Sequence, residues 1–261
     1  MALHFVERPS PNHDPRPAGA AVDILVLHYT GMRTAEEALD RLCDPEAKVS
    51  AHYTIDRDGC IYRHVDEGRR ARHAGVSWWA GERDVNGRSI GIELVNPGHE
   101  FGYVPFPAAQ IDALLELAHA ILARHPVPAN RVVGHSDVAP ARKMDPGELF
   151  PWRQLADAGI GIFPPPSWGR CRAQRGGGGS HTVLTPPSGP SGHLPHDGGG
   201  KEFSDMLRQF GYGVAPDLDI PLATVTTAFQ RHFRPEKVDG IADDETQARL
   251  RALVSPTRNR S

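Results

Sequence analysis

Apolar and polar positions alternate between two periods along the first 164 residues. "VDILVLHYT" (22–30) is an unbroken apolar run rich in Val, Ile and Leu, which predicts a strand buried on both faces. "TAEEALDRLCDP" follows it. Thr34 and Glu37 have capping-box spacing, Ala38, Leu39 and Leu42 share one face, and Asp44-Pro45 closes the helix. "AHYTIDRDGCIYRHV" reads as two short strands around a turn at Arg57-Asp58-Gly59. In "SIGIELVN", Ile90, Ile92 and Leu94 share one face, and Gly91, Glu93 and Val95 share the other. "FPAAQIDALLELAHAILARH" predicts a helix opened by Pro107, with a stripe of Ile111, Leu114, Leu115, Ala118 and Leu122. "RVVGH" is a further short strand, and a short helix after Pro151 turns Trp152 and Leu155 inward. Strands alternating with helices predict an α/β domain over residues 1–164, a mixed central sheet flanked by helices.

The pattern then breaks. Residues 165–200 are dominated by Gly, Pro and Ser, too poor in apolar groups to offset the entropy of ordering. This predicts a flexible linker whose coil spans roughly 30–36 Å. Periodicity returns over residues 201–255. Phe203, Met206, Leu207 and Phe210 mark one helix, and Leu222, Val225, Phe229 and His232 or Phe233 a second. Asp243 caps a third that carries Leu250, Leu253 and Val254. The expectation is a small all-α domain that searches a volume on its tether instead of docking rigidly. As a mere tether, it could be deleted without affecting turnover of small substrates.

Composition narrows the partners. The chain has 261 residues and a formal net charge of -3, so general attraction to nucleic acid or anionic lipid is not expected. No apolar run approaches the ~18 residues of a membrane span. The amino terminus lacks the pattern of a secretory leader, and Cys43, Cys60 and Cys171 are odd in number and widely spaced. These features point to a cytoplasmic monomer, or a periplasmic one if a leader is missing.

The densest chemistry lies in "GHSDVAPARKMDPG" (134–147). A catalytic zinc needs about three protein ligands and one open position. His28 ends one strand, His135 ends another, and Asp145 lies in a Pro-bounded loop, giving His, His and Asp with one position free. Lys143, two residues before Asp145, can point into the same cavity in an extended chain. Glu93 projects from an apolar strand, where a carboxylate needs a partner. Taken singly, each has a plainer reading: a hydrogen-bonded core histidine, a loop network, a salt bridge.

Together they resemble a known family. "LVLHYTGM", "SAHYTID", "SIGIELVN" and "GHSDVAPARKMDPG" are similar, in this order, to motifs of the zinc-dependent N-acetylmuramoyl-L-alanine amidases of the AmpD/AmiD type. The resemblance implies one zinc per chain held by His28, His135 and Asp145, with Glu93 and Lys143 catalytic. Glu93 is expected to act as general base and then acid, and Lys143 to share the developing oxyanion. The bond cleaved joins N-acetylmuramic acid, or its 1,6-anhydro form, to L-alanine in peptidoglycan fragments, during wall recycling or turnover. "AFQRHF" and "VDGIADDETQARL" resemble the small helical peptidoglycan-binding domain of cell-wall hydrolases. Tyr53, Arg72, Trp78 and Asn86 are candidate substrate contacts. Trp78 and Trp79 are candidates to line a sugar-binding cleft, with core packing the close alternative, and His52 is either a site neighbour or a structural residue. Two alternatives stay open: a non-catalytic peptidoglycan-recognition protein, and a phage-type lysin acting on intact wall.

Overall fold

The computed structural model describes residues 3–164, 198–214 and 216–255. The chain runs β1 (Phe5–Glu7), β2 (His13–Pro15), β3 (Ile24–Tyr29), α1 (Ala35–Cys43), β4 (Tyr53–Ile55), β5 (Ile61–Arg63) and β6 (Arg69–Ala71). It continues through α2 (Val85–Arg88), β7 (Ser89–Leu94), α3 (Gly98–Phe101), α4 (Ala108–Arg124), β8 (Val132–Gly134), α5 (His135–Val138) and α6 (Trp152–Asp157). The carboxy-terminal part forms α7 (Gly198–Phe210), α8 (Leu222–Phe233) and α9 (Asp244–Val254). Six strands make one mixed sheet in the order β1-β5-β4-β7-β3-β8, while β2 and β6 pair separately. Strands β3, β7 and β8 are parallel neighbours, so their carboxyl ends open on one edge. Ligands of open α/β sheets bind at that edge.

Local chemistry sets the element ends. Thr34 accepts a hydrogen bond from Glu37 N at 3.1 Å and opens α1 as its spacing predicts. Asp243 does the same for α9 through Thr246 N at 3.0 Å. Gly59 has φ +93°, and a Cβ there would meet the Ala109 carbonyl oxygen at 2.8 Å, so only glycine lets this turn lie under α4.

Strand β3 divides the core in two. Leu25 and Leu27 pack with Ile90, Ile92 and Leu94 under α4, whose buried stripe is Gln110, Ile111, Leu114, Leu117, Ala118 and Ile121. Leu115 and Leu122, expected in that stripe, are only partly buried. The helix is rotated toward Gln110, whose amide donates to the Ile55 and Val95 carbonyls at 2.9 and 3.1 Å.

On the other face, Ile24, Val26, Val133 and Val138 share a core with Phe203, Leu207, Phe210, Tyr212, Phe229 and Phe233. The carboxy-terminal helices therefore dock on the sheet, contrary to the expectation of a freely searching tail. Magnitudes explain why. Closing a connection of about 35 residues costs about 3 kcal/mol beyond a constant. Each large apolar side chain removed from water contributes about 1.5–3 kcal/mol. The expected linker falls outside the described residues except Gly198, Gly199 and Gly200, which belong to α7. Trp79 is fully buried between the two parts, its ring edge-on to Phe210 and Tyr212, so its role is core.

Candidate metal centre and cleft

The sheet carries the candidate residues to one place. His28 lies on β3 and is the register partner of Glu93 on β7, while Leu27 pairs with Gly134, the residue before His135. Asp145 arrives from the following loop, where its backbone carbonyl accepts Ser136 N at 2.9 Å. His28 Nδ1 lies 3.0 Å from His135 Nδ1 and 3.1 Å from Asp145 Oδ2, and His135 Nδ1 lies 3.0 Å from the same oxygen. All three side chains are buried.

The opposite ring nitrogens fix how these imidazoles present themselves. His135 Nε2 donates to the Ala74 carbonyl at 3.1 Å, which leaves its Nδ1 lone pair facing inward. His28 Nε2 lies 3.0 Å from His73 Nδ1, and His73 Nε2 lies 3.1 Å from Ser89 Oγ. Read as a donor chain, this sequence also leaves His28 Nδ1 bare. Burial, then the neighbouring His135, lowers the His28 pKa to about 4. Burial also holds His73 well below the usual imidazole range, so both rings are neutral. Burial opposes the charge on Asp145, but His135 and His28 outweigh it and keep the carboxyl ionised.

Two imidazole nitrogens and a carboxylate oxygen thus converge on one point. Tetrahedral zinc with bonds near 2.0–2.1 Å needs donors about 3.3 Å apart. The donor types and spacing fit that ion. Among the described residues, these three are the group whose ligand atoms converge this way.

Glu93 stands beside them in a different state. Burial, then repulsion from Asp145, pushes its pKa well above the usual carboxylate range, with Lys143 pulling the other way. Its Oε2 is buried and has no hydrogen-bond partner among the described residues. Such an atom costs free energy unless something else uses it. Glu93, Lys143 and Asp145 line one cavity of about 400 Å3 with Tyr29, Arg72, His99 and Arg142.

The expected substrate contacts divide. Arg72 lines the cleft, braced by Asp14 at 2.8 Å. Tyr53 does not: its ring joins the α4-side core and its hydroxyl donates to Glu67 Oε1 at 2.8 Å. Trp78 lines a neighbouring groove of about 870 Å3, with the Arg83 guanidinium 4.8 Å from its ring centre. Asn86 is buried, and its Oδ1 accepts His73 N and Ala74 N at 3.2 and 2.8 Å, so it holds the backbone that orients both histidines. His52 is buried and accepts Gly91 N at 3.0 Å, a structural role.

His73, like Tyr29, His99 and Arg142 of the cleft wall, was missed from sequence. A Cβ on Gly91 would lie 2.4–2.6 Å from its ring atoms, so the strand needs glycine for the ring to pack there. A glycine on the same strand face as Glu93 was the available signal, since such glycines mark close approach.

The model of the family described as N-acetylmuramoyl-L-alanine amidase matches residues 18–148. The N-acetylmuramoyl-L-alanine amidase AmiD of Escherichia coli is 39% identical over 246 residues, 89% of this chain and 82% of that protein. The 1,6-anhydro-N-acetylmuramyl-L-alanine amidase AmpD of Haemophilus influenzae is 34% identical over 163 residues, 56% of this chain and 86% of its own. Among solved structures, E. coli AmiD in complex with anhydro-N-acetylmuramic acid-L-Ala-D-gamma-Glu-L-Lys superposes with TM-score 0.72 at 36% identity, covering 92% of this chain and 91% of AmiD.

Proposed function

Because the chain belongs to the N-acetylmuramoyl-L-alanine amidase family, we propose that it hydrolyses the muramoyl–L-alanine amide of soluble peptidoglycan fragments at one zinc held by His28, His135 and Asp145. The observation that carries this reading is the convergence of those three donors beside the unpartnered Oε2 of Glu93. When bound, zinc supplies Lewis acidity to the reacting carbonyl and water.

The protein's own groups do the rest. Glu93 takes the proton of the attacking water and returns it to the leaving amine of L-alanine; a carboxyl whose pKa is raised by burial suits both duties. Lys143 faces the same cavity and offsets the charge that develops on the carbonyl oxygen. Arg72 and Arg142 line the wall and suit carboxylates of a peptide stem. The similar AmiD holds an anhydro-muropeptide, and a ligand of that class is proposed for this cleft. No helix among the described residues is long and apolar enough to cross a membrane.

We assign residues 1–164 to catalysis and residues 201–255 to a unit resembling peptidoglycan-binding domains. The test is turnover of a purified anhydro-muropeptide by metal-loaded and metal-stripped protein. Hydrolysis at the muramoyl–L-alanine bond that disappears on stripping and returns with zinc is expected. A zinc-loaded chain that binds muropeptides without cleaving them would instead be a recognition protein.

A further inference from the structure

The most heavily partnered buried carboxylate near the site has no part in the proposed chemistry. Asp137 is fully buried, in the short helix α5 that begins with His135. Its Oδ2 accepts Gly134 N at 2.7 Å from within the same turn. The other donors come from the carboxy-terminal unit: His232 Nδ1 on α8 lies 2.7 Å from Oδ2, and the Tyr212 hydroxyl donates to Oδ1 at 2.6 Å. Both donors are buried. The His232 ring is stacked on Trp152, with centroids 3.6 Å apart and planes 18° from parallel, which fixes where its nitrogen points. Burial, then Asp137 itself, pushes the Tyr212 hydroxyl well above the usual phenol range, so it stays a donor.

The same turn carries the metal ligands. His135 is two residues before Asp137, and Ser136, between them, donates its N–H to the Asp145 carbonyl at 2.9 Å. Gripping Asp137 therefore fixes both the His135 ligand and the loop that delivers Asp145. A carboxylate buried to this degree needs its donors, because losing one leaves an uncompensated polar group in a dry interior. The carboxy-terminal unit supplies two of the three.

We infer that Tyr212 and His232 are positioning residues for the metal centre, acting through Asp137, so that docking of the carboxy-terminal helices sets the geometry of His135 and Asp145. This rests on the reading of His28, His135 and Asp145 as zinc ligands. It gives the carboxy-terminal unit a function apart from holding wall polymer.

The test uses full-length protein and two readouts that a purely structural role leaves still: zinc affinity by chelator competition, and the visible absorption bands of the cobalt-loaded chain. His232→Phe keeps a ring on Trp152 but removes the donor. His232→Asn keeps a donor near the Nδ1 position but removes the ring. Tyr212→Phe removes one hydroxyl and leaves the packing. His232→Phe and Tyr212→Phe are expected to weaken zinc binding by about tenfold, the low end for groups that orient metal ligands, and to shift the cobalt bands. His232→Asn is expected to restore both. Parent-like affinity and bands in folded His232→Phe and Tyr212→Phe would overturn the inference, even if their melting temperatures fell. Equal losses in His232→Phe and His232→Asn would also overturn it. A parent chain that binds no zinc is a different result, and defeats the metal reading itself.

Discussion

His28 and Glu93 are register partners on adjacent parallel strands, yet their side chains hold opposite protonation tendencies. Burial lowers the imidazole pKa to about 4 and raises the carboxyl well above its usual range. Both shifts have one cause, since burial disfavours the charged form of either group. One group becomes a bare nitrogen for a metal, the other a proton carrier beside it. Exchanging these two neighbours for alanine should therefore fail in different ways. Glu93→Ala keeps zinc and loses on the order of 10²–10⁴ in kcat. His28→Ala loses zinc affinity first. Metal content and turnover, measured on the same preparations, separate the two; loss of zinc from Glu93→Ala would make Glu93 a ligand.

Metal removal should also destabilise the fold, because only the folded chain brings the three donors close enough to share one ion. An ion that binds only the native state raises stability by RT ln(1 + [L]/Kd), about 2.7 kcal/mol at a hundredfold excess over Kd. Calorimetry with and without chelator should show a lower, zinc-reversible melting temperature. An unchanged melting curve in verified metal-free protein would count against the site.

Gly91→Ala tests the packing behind His28. The added methyl meets the His73 ring at 2.4–2.6 Å, on a strand paired on both sides. Overpacking of this kind costs about 1–3 kcal/mol. Denaturant unfolding should report that loss, with zinc affinity falling as His73 shifts against His28. A variant of parental stability would mean that the ring can move aside freely.

Glu67 predicts a pH dependence remote from the metal. Burial opposes its charge, but hydrogen bonds from Arg124, His125 and Tyr53 outweigh this and lower its pKa to about 2, against 4.5 for a free side chain. A depressed folded pKa means stability present above about pH 4.5 and lost as the pH falls toward 2. The shift corresponds to about 3 kcal/mol at most. Glu67→Gln should flatten the acid limb of stability without changing zinc affinity. An acid limb identical to that of the parent would remove Glu67 from the account.

Deleting everything after residue 164 should now be damaging even for small substrates, unlike the removal of a tether. It would bare Ile24, Val26, Val133 and Trp79 and take two donors from Asp137. The truncated chain is expected to bind zinc weakly and to aggregate. A soluble, fully active 1–164 fragment would restore the tether reading.

The sequence by itself determined the strands and helices with clear periodicity and the candidate ligands, but not the short elements β1, β2, β6, α2, α3 and α5. Runs such as "ILVLHY" and the Thr34 and Asp243 caps act through neighbours in the chain, and the family motifs tie His28, Glu93, His135, Lys143 and Asp145 to their loops. Tertiary structure decided the rest. Tyr53 lies within a motif yet points to the α4-side core, and Asn86 spends its oxygen on His73 and Ala74. His73 carries no local signal, because its partner is a glycine on a strand 18 residues further on. The docking of α7–α9 depends on a match between two apolar faces and on one buried carboxylate with donors 75 and 95 residues away. Periodicity shows that each face is apolar; which face it meets, and which polar groups are sealed between them, is settled only when the chain has folded.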